Sequence, residues 1–262
     1  MNTALLSFVR DAQLRTSNGS WRTTHRGRLK TFDETLVKLL PNRERPYLVV
    51  DVGVSSGITT LDLIDALEKA GHALKVVALD RVTECSFVKL FPGAYALAED
   101  SGHFLGALVF GVPVRETTSG SRLDYLTGKA LIKKLVAASF HWRVQRQKDR
   151  KPVPLIVSEL ARRSNVEIKK LDILTQPLPE GVDVVRLANV VQRTYFSERD
   201  IARIAASVLH CCSAGAIIVL AHDSPNGELQ GSFLRIADGS CAVVARIGPG
   251  SEVENFFTGR IR

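Results

Sequence analysis

The sequence predicts an α/β protein with a doubly wound, mostly parallel seven-stranded sheet that ends in an antiparallel hairpin and carries a β-hairpin/helix insertion. Three observations predict it. Short apolar runs rich in β-branched residues alternate with segments of helical period, the pattern of strands covered on both faces. The stretch YLVVDVGVSSGITTLDLIDALEKAG over residues 47–71 joins such a run to a glycine turn and a helix. Near the carboxyl end the alternation stops, and two β-type runs meet at Asp238 and Gly239, a short hairpin signal.

Taken in order, the first twenty residues have weak periodicity and read as an arm. Phe32, Leu36, Leu39 and Leu40 mark a helix that Pro41 and Asn42 end. Leu48, Val49 and Val50 form the first strand; Leu61, Ile64 and Leu67 recur at helical spacing, and Gly71 caps that helix. Leu74 to Leu79 is the second strand. Tyr95 to Gly111 breaks the alternation with two β-runs around Asp100, Ser101 and Gly102, a hairpin. Val112 to Gly128 reads as loop, and Lys129 to Lys148 as a helix with Leu131, Leu135, Ala138 and Trp142 on one side. Pro152 and Pro154 then separate this insertion from the third strand, Val166 to Leu171. Val182 to Leu187 is the fourth strand, Ser197 and Asp200 start the next helix, and Ser213 to Gly215 turn it into the fifth strand, Ala216 to Leu220. The expected division is an arm and helix over 1–45 and a main domain over 46–262, with residues 93–150 as a hairpin plus basic helix that either shapes the substrate side or forms a structural edge of the sheet away from substrate.

Composition narrows the class. The net charge of +8 is uneven, running +5 over 1–46, −4 over 47–114, +9 over 115–170 and −2 over 171–262. Such a split predicts a mildly acidic core and basic surfaces able to steer an anionic partner. No apolar run approaches the roughly 18 residues that span a bilayer, and MNTALLSFVRDAQLR is too short and too early charged for a secretory signal, so a cytoplasmic protein without a membrane partner is expected. Cys85, Cys211, Cys212 and Cys241 show no metal-ligand or disulfide spacing, so no metal is expected.

The site residues follow from strand ends. Asp51 closes the first strand, and Gly53, Ser55 and Gly57 allow a tight turn whose amides approach a ligand. Asp80 stands at the end of the second strand, 23 residues past Gly57, where a carboxylate can accept both hydroxyls of a ribose. Asp172, followed by Ile173, stands after the third strand, where an acid can bond the exocyclic amine of adenine while the apolar neighbour walls the ring. Asn189 opens the loop after the fourth strand, leading to Tyr195, and His222 follows the fifth.

Over roughly Arg45 to Gly248 these motifs resemble the class I S-adenosylmethionine-dependent methyltransferases, a Rossmann-like family. VVDVGVSSG matches its first motif, Asp80 its ribose acid, Asp172 its adenine-side acid and VVRLANVV its loop after strand four. The final hairpin is similar to the family's last two strands, of which the seventh runs antiparallel. The segment from Ala188 to Ala221 is also similar to chemotaxis-receptor methyltransferases, although Leu187, Ala188, Asn189 and Val190 stand where those carry Cys-Arg-Asn-Val. The resemblance implies S-adenosyl-L-methionine as cofactor, held by Asp51, Gly53, Ser55, Gly57, Asp80, Asp172, Ile173 and Asn189. Ser55 replaces the family's usual glycine, which implies a slightly tighter turn.

What is implied is methyl transfer to an oxygen or nitrogen of an acceptor whose anionic character the basic segments suit. Asn189, Tyr195, His222 and His25 are the residues that would orient or deprotonate that acceptor. Two other readings remain open: a module that binds the cofactor without turnover, because no Ser/His/Asp or Cys/His set is present, and an RNA methyltransferase, disfavoured by the lack of aromatics among the basic segments. A nicotinamide dehydrogenase fits less well, since G-x-G-x-x-G is absent.

Overall fold

The computed structural model describes residues 14–15, 17, 21–22, 24–114, 129–146, 151–224 and 226–260. Most of the expected arm, the stretch from 115 to Gly128 and Pro225 lie outside them.

In chain order, β1 (Leu14–Arg15) pairs antiparallel with β2 (Trp21–Arg22). Helix α1 (Lys30–Leu39) buries Phe32, Leu36 and, unexpectedly, Asp33. Strand β3 (Tyr47–Val52) leads through the glycine turn into α2 (Ile58–Lys69), whose Leu61, Leu63, Ile64 and Leu67 are wholly buried. Each such side chain contributes about 1.5–3 kcal/mol. Gly71 ends this helix at φ +87°, with Gly71 N–H donating to Glu68 O and His72 N–H to Leu67 O, the paired bonds that satisfy a helix's last carbonyls. β4 (Leu74–Asp80) follows. Then come four strands in succession, β5 (Glu84–Phe91), β6 (Ala94–Ala98), β7 (Phe104–Val109) and β8 (Val112–Val114), and α3 (Lys129–Arg146). β9 (Lys151–Pro154), α4 (Ser158–Ala161), β10 (Val166–Lys170), β11 (Val182–Ala188), α5 (Glu198–Cys211), β12 (Cys212–Asp223), β13 (Leu229–Ala237), β14 (Ser240–Ile247) and β15 (Gly259–Arg260) complete the chain.

The chain divides into two compact units, Val82–Ile156 with the described residues before Thr24, and Thr24–Arg81 with Val157–Arg262. In the larger, eight strands run in the order β10-β4-β3-β11-β12-β13-β14-β15. The first five are mutually parallel and the rest join antiparallel. This corrects the expected seven strands: the two-residue β15 extends the edge beyond the hairpin. It also corrects the expected direction within the hairpin. The antiparallel neighbour of the parallel strands is β13, the sixth, and the seventh lies outside it. Only the residues 224–228 separate β12 from β13, too few for the crossover that a parallel partner needs. At the β13–β14 turn Asp238 and Gly239 both take positive φ, +49° and +70°, as a two-residue hairpin requires. The expected turn at Ser213 to Gly215 is instead a bulge inside β12, where Gly215 has φ +83° and the pairing with β11 jumps from Val182↔Cys212 to Val184↔Ile217.

The smaller unit is a five-stranded antiparallel sheet, ordered β8-β7-β6-β5-β9, with α3 on one face. The expected hairpin around Asp100 to Gly102 is its β6–β7 pair, but β5, β8 and β9 are additional. Proline in β9 is tolerated because that strand is an edge, paired with β5 alone. In α3, Val136 and Phe140 are buried against Val88, Leu90 and Phe104, whereas the side that groups Leu131, Leu135, Ala138 and Trp142 is exposed.

Candidate functional site

Parallel pairing puts the carboxyl ends of five strands in one row. Val52 pairs with Leu79 and Leu187, Asp80 with Lys170, and Ala188 with Ala221, so the next residues of each strand emerge side by side. The row runs Asp172, Asp80, Gly53, Asn189, His222 and spans about 19 Å at the usual strand spacing.

Its centre is the turn after β3. Gly53, Ser55 and Gly57 have φ of +74°, +56° and +81°, alternating with residues of ordinary handedness. Gly53 and Val54 N–H groups donate to Leu79 O at 2.7 and 3.1 Å, and Ser55 N–H donates to Asp80 Oδ2 at 2.7 Å. The turn is thereby lashed to the end of β4, bringing the predicted glycine turn and the predicted ribose acid together. A Cβ on Gly53 would stand 2.4 Å from Val190 Cγ2, so only glycine fits. Gly57 opens α2 without a side-chain cap and with no acid in the first turn, leaving a positive helix end facing the row. The buried Ser56 hydroxyl has no hydrogen-bond partner.

Asp51 lies beneath the turn, 2% exposed. Arg186 of β11 donates to it from Nε at 2.9 Å and Nη2 at 2.6 Å, and Thr60 Oγ1 donates at 2.7 Å. Arg186 Nη1 also donates to Asp33 Oδ1 at 3.0 Å. Both Asp51 oxygens are therefore engaged inside the protein, which places the residue in the floor of the turn and not on a ligand. Burial pushes the Arg186 guanidinium down, but the two carboxylates outweigh it and hold it above its ordinary value. Asp33 is pushed up to about 7, chiefly by burial and secondarily by Asp51, against the opposing pull of Arg186.

At the outer end of the row, Asp172 accepts Leu174 N–H at 3.0 Å, folding the loop into a turn, and Ile173 is buried in the core. At the other end Asn189 sits at φ +57°. Its Nδ2 donates to Asp223 Oδ2 at 2.6 Å, while its Oδ1 accepts from Asp223 N–H at 2.9 Å and Gln192 Nε2 at 3.2 Å. Arg28 Nη2 donates to the same Asp223 oxygen at 2.7 Å. Gln192 O in turn accepts the N–H of half-buried Tyr195 at 3.0 Å. Asn189 is thus a clamp between the ends of β11 and β12. His222 is buried with Nε2 2.9 Å from Gln230 Nε2, so the amide donates and the ring nitrogen accepts. Burial lowers its pKa, with Glu252 and Asp223 pulling the other way. His25 is exposed and bonded to Arg26 O.

Sequence reasoning missed Arg28, Asp223, Arg186 and Asp33. Two signals were available: an arginine inside the buried-type run VVRL demands a counter-charge, and Asp223 stands at the carboxyl end of a parallel strand.

No protein-family model matches the chain, and no curated protein matches its sequence. Among solved structures it is similar to phosphoethanolamine N-methyltransferase 1 of Haemonchus contortus, at 14% identity over 74% of this chain and 26% of that one, with a TM-score of 0.37. It is also similar to human N-acetylserotonin methyltransferase, at 11% over 74% and 34% with a TM-score of 0.35. A third is the N-methyltransferase NodS of Bradyrhizobium japonicum WM9, at 10% over 73% and 66%, TM-score 0.35. The chain spans only 34% and 38% of two further methyltransferase structures it matches.

Proposed function

We propose that the row of strand ends binds S-adenosyl-L-methionine and that the chain is a methyltransferase acting on an oxygen or nitrogen of an acceptor. The observation that carries this reading is the turn of Gly53, Ser55 and Gly57 tied through Ser55 N–H to Asp80. The residues fit the cofactor. The orphaned Ser56 hydroxyl and the uncapped start of α2 suit a carboxylate-bearing, methionine-like end. Asp80 suits a ribose, and Asp172 with Ile173 an adenine one strand further out.

When bound, the cofactor supplies a methyl carbon made electrophilic by its sulfonium. The protein's part is to hold an acceptor in line with it. In this reading Asp51 and Arg186 set the floor of the turn, Asp80 orients the nucleoside, and Asn189 fixes where Asp223 and Arg28 stand at the acceptor side. Arg28 would favour an anionic acceptor and Asp223 would receive a proton or orient one. Tyr195 and His222 flank this cluster, His222 as a neutral, hydrogen-bonded imidazole.

Calorimetric titration of the full chain with S-adenosylmethionine, its demethylated product and NAD, run in parallel, tests the reading. The first two bind and NAD does not; Asp80→Ala weakens binding about 10- to 100-fold, the value of hydrogen bonds to a charged acceptor, while Asp80→Asn, which still accepts Ser55 N–H, loses less. Preferential NAD binding, or unchanged affinity in Asp80→Ala, sinks it. Transfer of labelled methyl to any component of a metabolite extract then separates an enzyme from a binding module.

A further inference from the structure

Helix α3 has two apolar sides. One, through Val136 and Phe140, packs on the antiparallel sheet of the smaller unit. The other carries Leu131, Leu135, Ala138 and Trp142 at helical spacing, with Ile132 beside them; Leu131 is 64% exposed, Leu135 52% and Trp142 49%. Six of the seven large exposed apolar side chains among the described residues belong to this unit, including Phe110 and Val112 at the β7–β8 hairpin. The rest of α3 is basic. It holds Lys129, Lys133, Lys134, Arg143 and Arg146 and no acid, and the Arg143 guanidinium lies 4.9 Å from the Trp142 ring centre. Projected around the helix, Lys134 and His141 fall on one flank of the apolar stripe and Arg143 on the other.

We propose that this face of α3 docks on an anionic lipid bilayer, lying in the interface without crossing it. The stripe from Leu131 to Trp142 is about 16 Å long. Leucine, isoleucine and tryptophan at the centre enter the boundary between headgroups and acyl chains, and the flanking cations meet lipid phosphates and carboxylates. Charge decides between a bilayer and other apolar partners. Lys134 and Arg143 beside the stripe, on a helix with no acid, would repel a second copy of the same face, and they match a surface that is uniformly anionic. One exposed tryptophan gives too small a stacking surface to favour RNA. No described helix is long and apolar enough to cross a membrane, as a docking role requires. This proposal is independent of the cofactor reading, because it concerns the other unit.

The test uses the full chain and vesicles of phosphatidylcholine with or without about one-third phosphatidylserine. The chain should sediment with the anionic vesicles and not with the neutral ones, less so as salt rises. Lys134→Glu should weaken partition by about tenfold, and Leu135→Ser with Trp142→Ser should abolish it, with thermal unfolding and S-adenosylmethionine binding unchanged. Trp21→Phe leaves Trp142 as the sole tryptophan, and its emission should shift to the blue on adding anionic vesicles. Absence of sedimentation, binding that survives Lys134→Glu and the paired serine substitutions, or an unshifted Trp142 emission would each overturn the proposal. So would binding to an acidic helical peptide or to RNA without binding to vesicles.

Discussion

Arg186 forks onto Asp51, with Nε 2.9 Å from one oxygen and Nη2 2.6 Å from the other, and both side chains are sealed from solvent beneath the turn that follows β3. The pair couples the two central strands, since Arg186 and Asp51 are register partners of β11 and β3. It is also the support of the candidate cofactor turn, because Thr60 of α2 bonds the same carboxylate. Arg186→Met leaves Asp51 and Asp33 buried without a counter-charge and should cost about 3–5 kcal/mol. Urea unfolding of the variant measures it; a loss below about 1 kcal/mol would show that the fork does not hold the strands.

Asp33 gives this centre a pH dependence. Its carboxyl is raised from 3.8 to about 7 in the folded chain, mainly by burial, and its Oδ2 has no partner. Between those values the folded state binds a proton that the unfolded state has lost. Stability from Asp33 is therefore greatest at low pH and falls as pH rises toward about 7. His222 acts in the opposite sense: burial lowers its pKa, so acidification below its ordinary value of 6.5 charges the unfolded state first and removes stability. Comparing wild type with Asp33→Asn across pH 5 to 8 isolates the first effect. The substitution should be stabilising by roughly 1–3 kcal/mol at pH 8 and neutral or destabilising at pH 5. A constant difference across that range would remove Asp33 as a titrating group.

The parts of this protein that were legible in its sequence are those whose information is local. The glycine turn is one, because the residues that need positive φ, Gly53 and Gly57, announce themselves, and the strand and helix around it carry opposite periods. The terminal hairpin is another, since Asp238-Gly239 dictates its turn. The order of its strands was not legible, because it depends on the five-residue link that forbids a crossover. Nor was the packed face of α3: apolar residues stand on both sides, and only the sheet, which includes the unforeseen β5, selects Val136 and Phe140. In the site, strand-end acids were readable from the rule of parallel sheets. Arg28 was not, because it reaches Asp223 across 195 residues of sequence.

Gly53 tests the shape of the turn. Alanine there must hold φ +74° and place its Cβ 2.4 Å from Val190 Cγ2. The two penalties should sum to about 2–4 kcal/mol. In a Val190→Ala background only the backbone cost remains, about 1 kcal/mol. Thermal unfolding of the four chains in the double-mutant cycle separates them; equal costs in both backgrounds would mean that Val190 yields and the cradle is not closed by contact.

Asn189 combines a backbone requirement with a side-chain clamp, and two substitutions divide them. Its φ of +57° suits asparagine or glycine, while its amide holds Asp223 by Nδ2 and Oδ1 and receives Gln192. Asn189→Gly keeps the backbone and loses the clamp; Asn189→Ala loses both and should be less stable than the glycine variant by about 1 kcal/mol. If the clamp positions Asp223 and Arg28 for an acceptor, both variants should lower kcat for methyl transfer while S-adenosylmethionine affinity stays within about threefold, since less than 1 kcal/mol of cofactor contact is then at stake. Asp223→Asn, which still accepts Arg28 and Asn189, should preserve stability and lower kcat further, because the carboxylate itself is gone. Asn189→Gly with full turnover would reduce the residue to a structural turn, and a large loss of cofactor affinity in the same variant would move it from the acceptor side to the cofactor's.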